Sequence, residues 1–202
     1  MNKCEIVQPG KSQMKEIEHV LGKAFADNPF GDVFGGNAEY LGAFLGMLAR
    51  TAMKDGDTVV LGMTDGGALS AVALYVRGTW KPKGPSALPG LVRLFLKLPW
   101  RIFRHSLALM KQLDEGMKNV SKFDDEMELL LLAVNPEAQG KGIGRALLER
   151  GDEIAKDRGL EKIRLEVVAE TPAVGFYEKL GFDCEGEISS GKFKIRIMRR
   201  RV

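Results

Sequence analysis

The spacing of apolar residues along the chain changes between the period of a helix and that of a strand. Helical spacing near the start predicts two amphipathic helices, the first with Ser12 as its N-cap, and two β-rich runs around Gly66 predict a hairpin. The predicted elements are a short strand at residues 4–9, helices at 12–26 and 38–53 separated by a turn-rich stretch at 27–37, and the hairpin at 57–76.

The chain after residue 125 alternates strands and helices. A continuous apolar run at 127–134 predicts a central strand covered on both faces. Thr171 and Pro172 are typical of the N-cap and first position of a short helix. The remaining predicted elements are a helix at 142–158, a strand at 163–168, the short helix to residue 180 and a closing hairpin at 182–198.

Residues 77–125 interrupt this order with a long apolar and basic connection. It is broken at Pro99, which predicts two helices that meet there and form an insertion or a lid. Three roles stay open for it: its aromatic residues cover an acceptor pocket, its helices close the core, or its basic amphipathic face rests on a membrane. The aromatic residues are Trp80, Phe95, Trp100 and Phe103. The charges that exclude a simple membrane span are Arg93, Lys97, Arg101 and Arg104.

The bulk composition narrows the class of protein. A length of 202 residues fits one domain over residues 1–202, and 45% hydrophobic with 28% charged residues is typical of a folded, soluble chain. A net charge of +3 gives no indication of nucleic-acid binding. Cys4 and Cys184 lie far apart and form neither a disulfide framework nor a metal-type cluster. The polar N-terminus lacks the pattern of a signal peptide, so we expect a cytoplasmic protein.

The stretch QGKGIGR at residues 139–145 carries the clearest chemical signal. Three glycines alternate in it, cations stand beside them, and a helical pattern begins at once. Bare backbone, positive charge and a helix N-terminus together predict a site for a phosphate or pyrophosphate. Two nucleotide loops fail in detail, because a Walker A loop needs Ser or Thr where this chain has Gly142, and a Rossmann loop needs glycine where it has Arg145.

The same stretch resembles the acyl-CoA-binding motif of the GNAT (Gcn5-related N-acetyltransferase) superfamily. That motif has Gln or Arg, then two residues, Gly, one residue, and Gly or Ala, which here are Gln139, Gly142 and Gly144. The later stretch LEVVAETPAVGFYEKLGF resembles the superfamily's next strand and helix, and the resemblance covers residues 129–182. It implies an α+β fold, a three-layer α/β sandwich with a mixed, mostly antiparallel central sheet, flanking helices and a helical insertion at about 77–125.

The resemblance also implies acetyl-CoA as cosubstrate, and no metal site is expected. Backbone N–H groups of the loop then hold the pyrophosphate, and Lys141 and Arg145 add charge-assisted contacts. The pantetheine arm lies along the central strand as a strand would at an open edge. The expected coenzyme contacts are Leu132, Ala133, Val134, Gln139, Gly140, Lys141, Gly142, Ile143, Gly144, Arg145, Thr171 and Phe176.

Acyl transfer to an amine also needs groups that move protons. Tyr177 matches the superfamily's tyrosine and is expected to donate a proton to the departing sulfur. Glu128 begins the central strand, where several members carry a catalytic glutamate, and is expected to be the base. Two alternatives stay open: Glu166, which can also pair with Arg164, and ordered water without a single base.

These features predict an acetyl-CoA-dependent N-acetyltransferase that moves an acetyl group to a primary amine of a small molecule, by direct transfer through a ternary complex. A protein N-terminus or lysine is the alternative acceptor. Outside the enzyme class, the alternative is a non-catalytic regulator that binds acyl-CoA. The expected partners are acetyl-CoA and the amine acceptor. Nucleic acid and membrane are not expected, and a homodimer stays open.

Overall fold

A mixed seven-stranded sheet runs through the part of the chain that the computed structural model describes, residues 5–81, 84–118 and 120–202. Its strand order is β1-β2-β3-β4-β5-β7-β6, in which β4 and β5 are parallel and the other neighbours antiparallel. The predicted mixed, mostly antiparallel sheet is therefore confirmed. The strands are β1 (Glu5–Val7), β2 (Val59–Asp65), β3 (Ala68–Arg77), β4 (Glu126–Val134), β5 (Lys162–Val168), β6 (Asp183–Ser190) and β7 (Phe193–Arg201).

Helices cover both faces of this sheet and complete three layers. One face carries an apolar core shared with α1, α3, α4 and α5, and we call it the α5 face. The opposite face carries a second core shared with α6 and α7, and we call it the α6 face. The helices are α1 (Met14–Phe25), α2 (Pro29–Val33), α3 (Ala38–Ala52), α4 (Gly84–Lys97), α5 (Trp100–Met117), α6 (Ile143–Asp157) and α7 (Ala173–Glu178).

The structure differs from the sequence prediction at the N-termini of three helices. The turn-rich stretch contains α2, because Asn28 accepts a hydrogen bond from the Phe30 amide at 3.1 Å and a proline follows it at the first helical position. Ser12 does not cap α1, since it lies inside a 3-10 turn that precedes that helix. Thr171 does not cap α7 either, because its hydroxyl donates to the carbonyl of Val168 at 2.8 Å. Cys4 lies outside the described residues.

The connection between β3 and β4 forms two helices that meet at Pro99, as predicted. Helix α5 packs against β6, and the amide end of its Gln112 lies against Gly191 in the β6–β7 turn, whose φ of +60° favours glycine. No helix in the described ranges combines the length and the apolarity needed to cross a bilayer. The assignment of residues 1–202 to one domain stays a prediction.

A buried tyrosine helps to fix helix α6 to the sheet, together with apolar packing and the ion pair of Arg200 with Asp152. Tyr75 of β3 is fully buried, and its hydroxyl donates to the carbonyl of Leu147 at 3.1 Å. A side chain at Gly151 would collide with the Tyr75 ring, so glycine allows the close approach of helix and strand. The N-terminus of α6 is thereby held beside the end of β4.

Candidate active site

The two parallel strands of the sheet separate after a short paired segment. Residues 126–129 of β4 pair with 162–165 of β5, and both strands continue beyond that point without pairing to each other. On their outer sides, β3 accompanies β4 to Val134 and β7 accompanies β5 to Val168. Residues 130–134 therefore present an open strand edge to the space between the strands, which we call the fork. The predicted contacts Leu132, Ala133 and Val134 lie on this edge.

A bulge in β4 coincides with the start of the fork. Leu129 lies opposite Tyr75 and Leu131 lies opposite Leu74, so Leu130 is an extra residue. The bulge reverses which residues face each side of the sheet. Before it, Leu129 packs into the α6 face, and after it Leu131 packs into the α5 face. Because side chains alternate along β4 before the bulge, the carboxylates of Glu126 and Glu128 lie on the α5 face, opposite to Leu129. The part of β4 that follows the bulge is apolar.

The glycine loop forms an open cradle of amides at the N-terminus of α6. Gly140 and Gly142 have φ of +75° and +79°, a region that favours glycine, and nothing lies within 4 Å of where their side chains would be. No side chain caps α6, and among the described residues no acceptor takes the amides of residues 140–145. Lys141 and Arg145 are exposed beside these amides. Unpaired N–H groups and two cations are what an anionic ligand requires.

Gly144 brings the loop against α7. A side-chain carbon at this position would lie 3.2 Å from Cζ of Phe176 and 3.8 Å from Cγ2 of Val134. Glycine at 144 thus allows close packing without displacing Phe176, whereas at 140 and 142 it is favoured by the backbone angle. Gln139 is also fixed, since its Nε2 donates to the Val134 carbonyl at 3.1 Å. The loop, the end of β4 and the start of α7 therefore meet at one place.

Tyr177 follows Phe176 on α7 and is 8% exposed. Its ring contacts those of Phe176 and Phe182, with centroids 5.2 and 5.6 Å apart. The hydroxyl makes no hydrogen bond to a described residue, and protein atoms do not enclose it completely. Burial raises the pKa of the Tyr177 phenol far above its ordinary value. The phenol therefore stays protonated at neutral pH and is chemically a proton donor.

Glu128 lies in a buried ionic network centred on Arg164. Arg164 is fully buried, and each of its three side-chain nitrogens contacts one carboxylate. Nη2 contacts the carboxylate of Glu128, Nη1 lies 2.6 Å from that of Glu166, and Nε lies 3.4 Å from that of Glu126. Lys122 adds a second cation 3.1 Å from Glu128. Burial alone would lower the pKa of Arg164, but Glu128 and Glu166 outweigh it and raise that pKa. The guanidinium remains charged and holds the carboxylates in place.

Glu166 stands at the fork itself, one residue beyond the last paired residue of β5. Its side chain is 26% exposed, in contrast to the enclosed Glu128. Burial and then the negative charge of Glu128 raise the pKa of Glu166, against the opposing effect of Arg164. Of the two glutamates considered as bases, Glu166 is the accessible one. The pair of Glu166 with Arg164, one of the alternatives from the sequence, is present, but the rest of the network was not predicted, because Glu126 and Lys122 are far from Arg164 along the chain.

The insertion places its aromatic residues in two environments. Phe103 is buried and Trp80 packs against the same core, whereas Phe95 and Trp100 are 50% and 62% exposed. Phe95 and Trp100 therefore face outward, and a cover over an acceptor pocket stays a prediction for these four residues. Within the described ranges, no group of three or more His, Cys, Asp or Glu side chains is arranged to hold a metal ion.

Comparisons with known proteins agree with this architecture. Residues 107–182 match the profile of the Acetyltransferase (GNAT) family. A mycothiol acetyltransferase of Arthrobacter sp. (strain FB24) is 45% identical over 56 residues, which cover 27% of this chain and 17% of that protein. This chain thus matches only about one fifth of the length of such relatives.

Solved structures show the same fold along almost the whole chain. The histone acetyltransferase HPA2 and related acetyltransferase from Corynebacterium glutamicum ATCC 13032 has a TM-score of 0.63 and 24% identity, over 98% of this chain and 96% of that one. The PaiA N-acetyltransferase from Thermoplasma acidophilum, in complex with coenzyme A, has a TM-score of 0.59 and 18% identity, over 99% of both chains. Residues 107–182 thus carry the profile of the GNAT acetyltransferase family, and the chain has the fold of these solved acetyltransferases.

Proposed function

We propose that the protein is an acetyl-CoA-dependent N-acetyltransferase that acetylates the primary amine of a small molecule by direct transfer in a ternary complex. One observation carries the proposal: an uncapped helix N-terminus with unpaired amides opens beside an unpaired strand edge, next to a protonated phenol. The structural relative from Thermoplasma acidophilum was solved with coenzyme A, which supports the same donor here.

The residues present fit the donor. Amides of residues 140–145 with Lys141 and Arg145 would hold its diphosphate, and the open edge of β4 would hydrogen-bond its amide-rich arm. Phe176 would pack beside the loop. Acetyl-CoA supplies an acetyl group activated as a thioester. We assign Tyr177 the role of holding a proton at its hydroxyl for the departing sulfur.

We assign the acceptor's proton to Glu166 rather than to Glu128. Glu128 is enclosed and paired with two cations, so an acceptor amine reaches Glu166 more readily, and the role of Glu128 becomes that of a positioning residue. Glu166 is accessible at the fork and its pKa is raised toward neutrality. Its carboxylate can receive the proton that the acceptor nitrogen loses on forming the amide.

A small acceptor is favoured by the cover over the α5 face. The cross-strand neighbour of Glu166 on β7 is the buried Ile197, and Ile195, opposite Val168, lies in the core to which α5 contributes apolar side chains. A covered, apolar surface with one accessible carboxylate suits a compact amine better than a peptide. The mycothiol acetyltransferase relatives, named for a small-molecule activity, support the same class.

The direct test is release of free thiol from acetyl-CoA with a panel of small primary amines and, separately, with lysine-containing peptides. Turnover with a small amine and not with peptides supports the proposal. Coenzyme A binding without thiol release for any acceptor would instead indicate a non-catalytic regulator.

Replacing Tyr177 by Phe should lower kcat by about 10²-fold and leave coenzyme A affinity unchanged, because only the proton donor is removed. Tyr40→Phe is the matched control, since it makes the same chemical change on α3 and should leave both quantities unchanged. Calorimetry and the thiol assay measure the two effects. Equal turnover in the two variants would remove Tyr177 from the mechanism.

The assignment of Glu166 as the base predicts that kcat/KM depends on pH. Because a base acts in its ionised form, kcat/KM should rise with pH through the raised pKa of Glu166, above the ordinary value of a glutamate. Glu166→Gln should lower kcat/KM by about 10²-fold and abolish that limb of the profile, while a limb due to the acceptor amine remains. A profile of unchanged shape in Glu166→Gln would assign the limb to another group.

A further inference from the structure

A strongly exposed apolar surface lies at the turn between α4 and α5, outside the residues assigned to donor and acceptor. It consists of Val92, Phe95, Leu96 and Trp100, which are 53%, 50%, 77% and 62% exposed, and we call it the α4–α5 patch. The rings of Phe95 and Trp100 contact edge to face, with centroids 6.1 Å apart. Contiguous apolar side chains of this size on a surface indicate a contact with something else.

The charged residues that flank this patch along the sequence are all basic. Residues 66–113 contain eight Lys and Arg but no Asp or Glu, although the chain has 27 acidic residues in total. Arg101 and Arg104 are exposed and form no ion pair with a described residue. Arg93 and Lys97 approach a single carboxylate, that of Glu18, which they share with Arg50. The surface beside the patch therefore carries uncompensated positive charge.

We propose that the α4–α5 patch docks the protein on the surface of an anionic lipid bilayer. Leucine and aromatic side chains enter the boundary between headgroups and acyl chains, while flanking arginines contact anionic headgroups. Leu96 is too exposed to lie in a groove, so the patch suits a flat, deformable surface. A second copy fits less well, since a two-fold contact through the patch would bring its cations against each other. The proposal takes up the third role that the sequence left open for the insertion, although a membrane was not among the expected partners.

Tryptophan fluorescence tests the docking directly. The chain has two tryptophans, and Trp80→Phe leaves Trp100 as the only emitter. With phosphatidylglycerol-containing vesicles, the emission of Trp100 should shift to shorter wavelength and protein should float with the vesicles. With pure phosphatidylcholine vesicles neither effect is expected, and raised salt should reverse both. No association with anionic vesicles at low salt would overturn the proposal and leave a protein partner as the occupant.

Substitutions separate the contribution of the basic side chains to vesicle binding from that of the apolar side chains. Arg101→Gln with Arg104→Gln should weaken vesicle binding about thirtyfold, at roughly a factor of five for each basic side chain. Lys11→Gln with Lys15→Gln is the matched control, because it removes two exposed charges near the start of α1 and should have no such effect. Leu96→Ser with Trp100→Ser should abolish flotation. Equal binding by all variants, equal binding to neutral vesicles, or a dimer that Leu96→Ser dissociates in light scattering would each overturn the proposal.

Discussion

Replacing Gly142 by Trp should abolish coenzyme A binding. The residue is the N-cap of α6, its φ is +79°, and open space surrounds the position where a side chain would begin. An indole placed there would occupy the cradle of amides. Loss of two hydrogen bonds to a charged group, at about 1.5 kcal/mol each, already weakens binding more than about 100-fold. Isothermal titration calorimetry should detect no heat of binding with coenzyme A.

Gly67→Trp separates this effect from backbone strain. Gly67 has φ of +87° in the β2–β3 turn and also has nothing within 4 Å of its missing side chain. Both substitutions force a bulky residue into the left-handed region, which costs about 1–2 kcal/mol of folding free energy. Thermal unfolding should therefore show similar losses, while only Gly142→Trp loses the coenzyme. Retained affinity in Gly142→Trp would contradict the assignment of the loop.

Much of the fold was predictable because its signals are local. The alternation between helical and strand periods, the break at Pro99 and the three glycines of the loop each depend on neighbouring residues. The expectation for residues 127–134 held for the same reason, since a central strand needs apolar side chains on both faces. Helix α2 was missed, although its Asn-Pro start was a readable cap, because five residues show no periodicity.

The fork and the ionic network were not predictable in the same way. The bulge at Leu130 arises from the register between β3 and β4, which the spacing of residues in β4 alone does not contain. The network joins Lys122, Glu128 and Arg164 through the parallel pairing of β4 with β5. Glu128 alone at the start of a strand was equally compatible with an open, catalytic position. The pairing of β4 with β5 encloses Glu128 beside Arg164 and leaves Glu166 accessible at the fork.

Replacing Arg164 by Met should destabilise the protein by about 3–5 kcal/mol, because Glu166 loses the guanidinium it pairs with, Glu128 keeps only Lys122 and Glu126 keeps only Arg199. The midpoint of urea unfolding should fall without a change in the slope of the transition. Arg201→Met is the matched control, since it removes an exposed arginine at the end of a neighbouring strand and should change the free energy of unfolding by less than about 0.5 kcal/mol.

The cause of the lost stability in Arg164→Met can be tested by also neutralising the carboxylates that Arg164 contacts. Neutralising Glu128 and Glu166 as Gln in the Arg164→Met background should restore part of the stability, because a buried network removed as a whole costs less than one broken on one side. Without Arg164 the pKa of Glu166 rises further in the folded state, because the guanidinium that opposes its rise is gone, so protonation favours folding. The deficit of Arg164→Met should therefore be small in mild acid and grow as pH rises through that raised pKa. A deficit that is constant with pH, with no recovery in the triple variant, would show that Arg164 acts through packing rather than through charge.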